Sequence, residues 1–446
     1  MSDDKLFEPL TINGVELANR LVRSSIGGRY AYYDGRVNPA WARFERRFAE
    51  AGVAAIVSAT LTVDDRRWSP IEYPKISDDR FVEPIAEGIR AVQALGCRYI
   101  VQIGDPGYHT QASLFPEEAD GVSASGGFDL MFGYRSFRRE LTTTEIAGIV
   151  ENFAKAAFRV REAGSDGLEV TASKGYLIHQ FLNPAINRRQ DAYGGSAKRR
   201  FRFLEEIVTA IRAELGPDFL FGVRLSARDF NSLPVNVRWP VTTPLRSWWF
   251  GNDLPETLAY GKRLRDLGVD YLHMSNGFGF INPKENPGDF PLEELRVFFN
   301  SVRHLSAKAR ARSGLLNLVP LWVLRRLATA GWRADPGANL ADAATFRHEV
   351  GLPVIANGGF QERSLVERAL ESVDLVSMAR PLLANPDLIA SFRAGVDKPA
   401  QPCTFCNRCT LRTTVAPLGC YDPSRFASQE EMEEQILRWS SPEDDP

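Results

Sequence analysis

The feature that most constrains the fold of this chain is a set of eight short apolar runs of strand length, separated by segments with a helical pattern. The runs span 19–25, 53–59, 98–104, 167–173, 219–226, 271–277, 352–359 and 374–381. They are apolar on both faces, which is typical of parallel strands covered by helices. Eight such strands are what a (β/α)8 TIM barrel needs. The count favours this α/β fold over a doubly wound sheet, which the pattern alone does not exclude.

The helix before the fourth run has the clearest boundary. Thr142 and Glu145 have the spacing of a capping box, in which two side chains satisfy backbone N–H groups at the start of a helix. Apolar residues then repeat on one helical face from Ile146 to Val160. The pattern predicts an amphipathic helix packed on the barrel.

A barrel of this kind needs about 250 residues, so a large part of the 446-residue chain is additional. We assign residues 1–389 to the barrel and 390–446 to a C-terminal extension. The barrel includes two insertions, at about 227–253 and 279–345, after the fifth and sixth strands. Both insertions follow the carboxyl ends of strands, where barrels place their chemistry.

The second insertion contains a basic segment, 300–333, that has no acidic residue. Its apolar centre, from Leu315 to Leu324, is too short to span a bilayer. Three interpretations stay open: a helical subdomain packed by its apolar side, a lid for an anionic or lipidic substrate, or a docking site for a membrane surface or a partner.

The composition excludes some classes of function. The formal net charge is -2, so no global positive field favours nucleic acid. The amino terminus has no export signal, and no run of about 18 apolar residues is present. We therefore expect a soluble, cytoplasmic protein, which is compatible with a homo-oligomer.

Four of the five cysteines fall in one stretch near the carboxyl end: Cys403, Cys406, Cys409 and Cys420. In a chain without an export signal, such clustering indicates a metal before disulfides. Three thiolates at two-residue gaps with a distant fourth suit a 4Fe-4S cluster, whereas structural zinc sites use two separated pairs. An iron–sulfur cluster is the favoured prediction, with zinc or unligated thiols as alternatives. Cys97 stands alone and is expected to be buried.

Two strand ends carry a phosphate-binding pattern. Asn357, Gly358 and Gly359 end the seventh run, and Ala379 and Arg380 end the eighth. The loops after these strands commonly hold a phosphate through backbone N–H groups, and an arginine adds a charged contact. The alternative is an ordinary turn beside a surface arginine.

Several longer motifs occur in a fixed order along the chain. They are LFEPLTINGVELANRLV (6–22), the strand containing Gln102, GYLIHQFLNP with NRR and DAYGGS (175–196), GVRLS (222–226), VIANGG (354–359), LVSMARPLLANPDL (375–388) and CTFCNRC (403–409). Together they resemble the old yellow enzyme family of NADH:flavin oxidoreductases, and within it the branch of 2,4-dienoyl-CoA reductase and trimethylamine dehydrogenase.

The resemblance implies FMN at the carboxyl face of the barrel. The implied cofactor-binding residues are Ser24, Ser25, Ile26, Gly27, Ala59, Gln102, Arg224, Asn357, Gly358, Gly359, Ala379 and Arg380. Gln102 would bind the pyrimidine end of the flavin, and Arg224 would place positive charge beside it. A fixed guanidinium there stabilises the reduced, anionic flavin.

The resemblance also implies that Tyr176 is the general acid, because a phenol stays protonated at neutral pH yet can protonate a developing enolate. The chain departs from the family just before this tyrosine. Many members have two histidines, or a histidine and an asparagine, that bind the substrate carbonyl, and here the two positions are Thr171 and Lys174. Both can donate hydrogen bonds, but the family's usual anchor for small enone substrates is not intact here.

We therefore expect an FMN-dependent ene-reductase that reduces the C=C bond of an α,β-unsaturated carbonyl compound or an enoyl or dienoyl thioester. One alternative runs the flavin oxidatively on an amine or alicyclic substrate and passes electrons through the cluster to a partner, and another is a docked electron-transfer module. Larger relatives continue into a second dinucleotide-binding domain, and this chain contains no G-x-G-x-x-G. Electrons are thus expected from NADH or NADPH directly, or from a separate donor protein.

Overall fold

The structure, a computed structural model, describes nine stretches of the chain. They are residues 4–67, 72–110, 121–128, 137–230, 251–279, 286–304, 307–329, 334–413 and 416–438. Most of the first predicted insertion, 231–250, lies outside the described residues.

Eight parallel strands close into a barrel, which confirms the predicted fold and excludes the doubly wound sheet. In chain order the strands are β1 (Leu10–Ile12), β2 (Val15–Leu17), β3 (Leu21–Arg23), β4 (Ala55–Thr62), β5 (Arg98–Gly104), β6 (Val122–Ser123), β7 (Gly127–Phe128), β8 (Phe137–Glu140), β9 (Gly167–Ala172), β10 (Leu220–Ser226), β11 (Tyr271–Ser275), β12 (Val354–Ala356) and β13 (Leu375–Met378). The barrel consists of β3, β4, β5 and β9 to β13, and β13 pairs with β3 to close it. Strands β1 and β2 form an N-terminal hairpin, and β6, β7 and β8 form a small separate sheet.

Helices follow most barrel strands and cover the outside. They are α1 (Pro39–Glu50), α2 (Val82–Gln93), α3 (Thr143–Glu162), α4 (Leu177–Leu182), α5 (Ala197–Leu215), α6 (Leu254–Asp266), α7 (Leu292–Val302), α8 (Ala307–Leu318), α9 (Leu321–Thr329), α10 (Leu340–Val350), α11 (Arg363–Leu370), α12 (Arg380–Ala384), α13 (Leu388–Arg393), α14 (Arg408–Arg412) and α15 (Gln429–Leu437). None of the helices in the described stretches combines the length and apolar character that a bilayer span needs.

The core lies between the barrel and its helices. Helix α3 begins with the predicted capping box and buries Ile146, Phe153 and Val160 against the barrel. Burial of such a side chain stabilises the fold by roughly 1.5–3 kcal/mol. Cys97, directly before β5, is buried in the same core as predicted.

The second predicted insertion forms a helical subdomain. Helices α7 and α8 pack around a small core of their own that includes Phe298, Phe299 and Leu316, separate from the barrel core. Helix α10 begins at Leu340 and packs on α6 and β12. The last residues of the predicted insertion, 340–345, thus belong to the helical layer of the barrel.

The C-terminal segment folds back on the mouth of the barrel. Thr413 Oγ1 donates to the Gly27 carbonyl at 3.0 Å, and the Arg425 guanidinium donates to the Ala384 carbonyl at 2.8 Å. The cysteines are thereby placed beside the loops that follow the first and last barrel strands.

Candidate active site at the barrel mouth

A cavity of about 240 Å³ opens at the carboxyl ends of the barrel strands. Its lining includes Ser24, Ser25, Ile26, Gly27, Arg224, Asn357, Gly358, Gly359, Ala379 and Arg380, together with Lys174 and Tyr176. These are all of the predicted cofactor-binding residues except Ala59 and Gln102, and two of the three predicted catalytic residues. Residues from distant parts of the sequence meet here because parallel strands end at the same edge of a barrel.

A buried hydrogen-bond network lies beside this cavity inside the barrel. Ser25 Oγ donates to Gln102 Oε1 at 3.1 Å, and Gln102 Nε2 donates to Glu169 Oε1 at 2.5 Å. Glu169 Oε2 contacts His273 Nδ1 at 3.0 Å, and His273 Nε2 contacts Ser377 Oγ at 2.9 Å. Gln102 does not line the cavity itself but is joined through Ser25 to its wall.

The charges of this network balance one another. Burial alone would raise the pKa of Glu169, but His273, Arg224 and Gln102 outweigh it and lower this pKa below its usual value. Burial lowers the pKa of His273, and Glu169 opposes that effect. The carboxylate is thus kept ionised next to Arg224.

Arg224 is a buried cation on the cavity wall. Burial lowers its pKa, against the attraction of Glu169 and Tyr176. Its Nε atom has no hydrogen-bond partner among the described residues. A buried, unsatisfied guanidinium N–H is costly unless a ligand accepts from it.

Lys174 and Tyr176 flank a tight turn after β9. Lys174 has a φ of 60° and Gly175 a φ of 82°, both in the left-handed region. Burial, together with the positive charges of Arg224 and Arg380, lowers the pKa of Lys174 well below its usual value. This lysine can therefore gain or lose a proton when a ligand changes the local charge.

The turn is held by a histidine that the sequence analysis did not single out. The Gly175 N–H donates to His179 Nδ1 at 3.0 Å, so the ring hydrogen is on Nε2. His179 Nε2 in turn contacts Asp229 Oδ1 at 2.7 Å. These buried hydrogen bonds, from Gly175 through His179 to Asp229, hold the backbone between Lys174 and Tyr176 in place.

Three glycines line the cavity and allow close approach to it. A Cβ on Gly27 would lie 1.8 Å from the Tyr73 hydroxyl, so only glycine fits there. Gly358 and Gly359 have φ values of 134° and 85°, which keep a turn open between β12 and the following loop. Arg380 sits beside this turn, but its guanidinium donates to the Pro287 carbonyl at 3.0 Å and to Asn407.

Some placements differ from the sequence analysis. Thr171 is buried in β9, with its hydroxyl 3.5 Å from that of Ser173, and does not line the cavity. Ala59 is buried within β4. Conversely, Tyr73 and His109 line the cavity, and the His109 ring is 5.9 Å from that of Tyr176. His109 follows the end of β5, and this position was the only signal in the sequence that could have marked it.

The four clustered cysteines share a second, smaller cavity. Cys403, Cys406, Cys409 and Cys420 all line it, and none forms a disulfide. Burial raises the pKa of Cys403 to about 11 and that of Cys409 to about 12. Within the described stretches, no group of three His, Cys, Asp or Glu side chains is arranged to hold a single metal ion. A cubane differs from such a site because each thiolate binds a different iron.

The two cavities adjoin. Cys409, Arg380 and Leu383 line both of them. The Arg425 guanidinium donates to Cys420 Sγ at 3.1 Å. Two guanidinium groups thus lie beside four thiols that would be negative when they bind metal.

Comparison with known proteins agrees with this architecture. The model of the NADH:flavin oxidoreductase / NADH oxidase family matches residues 5–232. A metal reductase of Desulforamulus reducens (strain MI-1) is 28% identical over 419 residues, which is 93% of this chain and 53% of that protein. An NADPH dehydrogenase of Geobacillus sp. (strain WCH70) is 32% identical over 281 residues, which is 61% of this chain and 73% of that protein.

A solved structure of 2-naphthoyl-CoA reductase with 2-naphthoyl-CoA has the same fold, with a TM-score of 0.73 at 21% identity. The likeness covers 94% of this chain and 56% of that one. The chain spans about half the length of several of the curated relatives it matches. The matched family model and the closed barrel with its mouth cavity place the chain in the NADH:flavin oxidoreductase / NADH oxidase family.

Proposed function

We propose that the protein is a flavin-dependent oxidoreductase with FMN in the mouth cavity. The residues present fit the cofactor. The buried Nε of Arg224 has no hydrogen-bond partner among the described residues, and Gly358 and Gly359 line the cavity, where their backbone can approach a phosphate. Lys174 adds a group that can become positive beside an anion. The observation that carries the proposal is the meeting of these groups with Tyr176 in one cavity.

The proposed reaction is reduction of the C=C bond of an α,β-unsaturated carbonyl compound or thioester. When bound, FMN supplies a hydride that it has received from NADH or NADPH. Tyr176 donates its phenolic proton to the α-carbon of the substrate. Lys174 donates a hydrogen bond to the carbonyl oxygen and so stabilises the negative charge that develops there. Thr171, the third predicted catalytic residue, is buried in β9 and does not line the cavity, so the scheme gives it no direct contact with the substrate.

The test separates the two half-reactions by anaerobic stopped flow. In Tyr176→Phe we expect flavin reduction by NADH or NADPH to keep its rate, and reoxidation by an enone or enoyl thioester to slow by about 10²-fold or more. Tyr73→Phe is the matched control, because Tyr73 also lines the cavity. A normal reoxidation rate in Tyr176→Phe, or a defect confined to Tyr73→Phe, would contradict the assignment.

We further propose that the second cavity holds a 4Fe-4S cluster bound by Cys403, Cys406, Cys409 and Cys420. Cys409 borders both cavities, so electrons can pass between the two centres over a short distance. This contact also favours a second candidate function, in which the flavin oxidises an amine or alicyclic substrate and the cluster delivers the electrons to a partner protein.

Iron and sulfide analysis of anaerobically purified protein tests the cluster. We expect about four irons per chain, and loss of this iron in Cys406→Ser and Cys420→Ser. Cys97→Ala is the control, since Cys97 is buried in the barrel core and is far in sequence from the four clustered cysteines. Stoichiometric zinc in place of iron would refute the cluster and leave the flavin proposal intact.

A further inference from the structure

We propose that the apolar segment joining α8 and α9 docks the protein on an anionic lipid surface. This segment, called the apolar tip, consists of residues 315–324, which form the end of α8, the connection and the first four residues of α9. The proposal concerns a surface distinct from the mouth cavity and does not depend on the reaction proposed above.

The apolar tip has an inner side that is packed and an outer side that is exposed. On the inner side, Leu316 is buried in the small core of the subdomain, and Leu321 and Leu324 pack against it. On the outer side, the exposed fractions are 53% for Leu315, 84% for Leu318 and 70% for Trp322. The apolar tip therefore packs on a core that it shares with α7 and still presents large apolar side chains to solvent.

Basic residues flank the apolar tip on both sides. The twelve residues 313–324 carry no charge, and they lie between Arg312 and Arg325 in the sequence. Arg310 and Arg326 are exposed. The arginines at the flanks have contacts in the subdomain as well: Arg325 pairs with Glu293 at 2.5 Å, and the Arg312 guanidinium lies 5.1 Å from the Phe299 ring. No acidic residue occurs anywhere in 300–333.

This arrangement matches an interfacial membrane contact. Leucine and tryptophan side chains enter the boundary between headgroups and acyl chains, while arginines bind anionic headgroups around them. Tryptophan is suited to that boundary because its ring is apolar and its N–H can hydrogen-bond. An acidic protein partner would be recognised by the arginines, but would not account for the exposed leucines of the apolar tip. A lipid surface accounts for both features.

Vesicle co-sedimentation tests the proposal. We expect the protein to bind phosphatidylcholine vesicles that contain about 30% phosphatidylglycerol, and to bind pure phosphatidylcholine much less, because of the charge term. The Leu318→Ser, Trp322→Ser double variant and the Arg310→Glu, Arg326→Glu double variant should each weaken binding by at least about tenfold. Flavin content and circular dichroism should be unchanged, since these side chains are exposed.

Matched controls use residues elsewhere on the surface. Phe137→Ser with Leu437→Ser removes two exposed apolar side chains, at 74% and 53% exposure. Lys198→Glu with Arg199→Glu reverses two exposed charges at the start of α5. Both controls should bind vesicles as the wild type does.

Four outcomes would overturn the proposal. The first is no binding of wild type to the anionic vesicles. The second is an equal loss of binding in the controls. The third is unchanged binding in Leu318→Ser, Trp322→Ser, which would leave only nonspecific attraction of the arginines. The fourth is a wild-type dimer in light scattering that this variant converts to monomer, which would make a second copy of the chain the occupant of the tip.

Discussion

The side chain of Asp229 supports the turn between Lys174 and Tyr176, although it does not itself line the cavity. Its Oδ2 accepts from the Asn183 side chain and from the Asn252 backbone and side chain, each at 2.8 Å, and its Oδ1 contacts His179. The carboxylate is fully used as an acceptor. His179 then keeps its Nδ1 free to accept from Gly175.

We expect Asp229→Asn to destabilise the protein by about 2–3 kcal/mol. The carboxylate accepts hydrogen bonds from buried donors on both of its oxygens, whereas the NH2 group of the amide would face one of these donors and could not accept. If the amide faces His179, the ring must turn or change tautomer and lose the bond to Gly175. Reoxidation of the flavin by an enone should then slow more than its reduction, since Tyr176 is displaced. Urea denaturation and stopped flow measure the two effects. Asp218→Asn, at an exposed site, should change neither quantity.

Individual residues could be predicted where a motif fixes their position, as for Arg224 and the glycines at 358 and 359. Asp229, His109 and Tyr73 could not, because their roles depend on partners brought in from other strands and loops. The resemblance gave Thr171 as a substrate-binding position. In β9 this residue pairs in register with Arg224 and shares a face with Glu169, yet of the pair only Arg224 lines the cavity.

At the scale of single elements, the start of α3 allows a clear stability test. Thr142 Oγ1 accepts from the Glu145 N–H, and Glu145 accepts from the Thr142 N–H at 2.8 Å. We expect Thr142→Ala to lower the free energy of unfolding by about 1 kcal/mol, seen as a lower urea midpoint. Thr143→Ala is the control, because this neighbouring threonine is exposed and lies inside the helix rather than at its cap. An equal loss in both variants would show that the capping hydrogen bond is not responsible.

The same cap should depend on pH. Arg139, and then the bonds from Thr142, lower the pKa of Glu145 to about 2 from its usual value near 4.5. The folded-state pKa is the lower one, so the stabilising effect is present above pH 4.5 and is lost as the pH falls toward 2. The difference between wild type and Thr142→Ala should therefore shrink in acid.

The barrel strands and α3 were predictable because the apolar residues of each follow a single pattern and the boundaries of each are signalled in the sequence. For the second insertion a helical subdomain was one of three open interpretations, because the sequence does not show which of its apolar residues are covered and which are exposed. A sequence pattern reports that residues are apolar, and it does not report whether the fold covers them. The start of α10 at Leu340 was missed for a similar reason, since no strong cap separates it from the insertion.

At the scale of the whole molecule, the acid stability of the barrel should fall in two separate ranges of pH. Burial lowers the pKa of His273 below its usual 6.5. The unfolded chain therefore binds a proton at this residue before the folded chain does, and stability is lost as the pH falls below 6.5. The lowered pKa of Glu169 acts in the same direction, but only below its usual 4.5. Other ion-paired carboxylates, such as Asp64 and Asp191, lose their contribution below pH 4.

Substitution of His273 tests whether this residue causes the loss of stability in the upper of the two pH ranges. We expect His273→Asn to keep a donor toward Glu169 and to flatten the decline in unfolding free energy between about pH 6.5 and 5, a decline that one proton limits to about 1.4 kcal/mol per pH unit. The decline below pH 4.5 should remain. His348→Asn is the control, since that side chain is 86% exposed. A wild-type curve that is flat down to pH 5, or an equal change in both variants, would mean that the buried histidine does not govern the acid response. Because His273 bonds to Ser377 on the wall of the mouth cavity, its protonation would also reach the ligand site, so flavin release and loss of stability should begin in the same pH range.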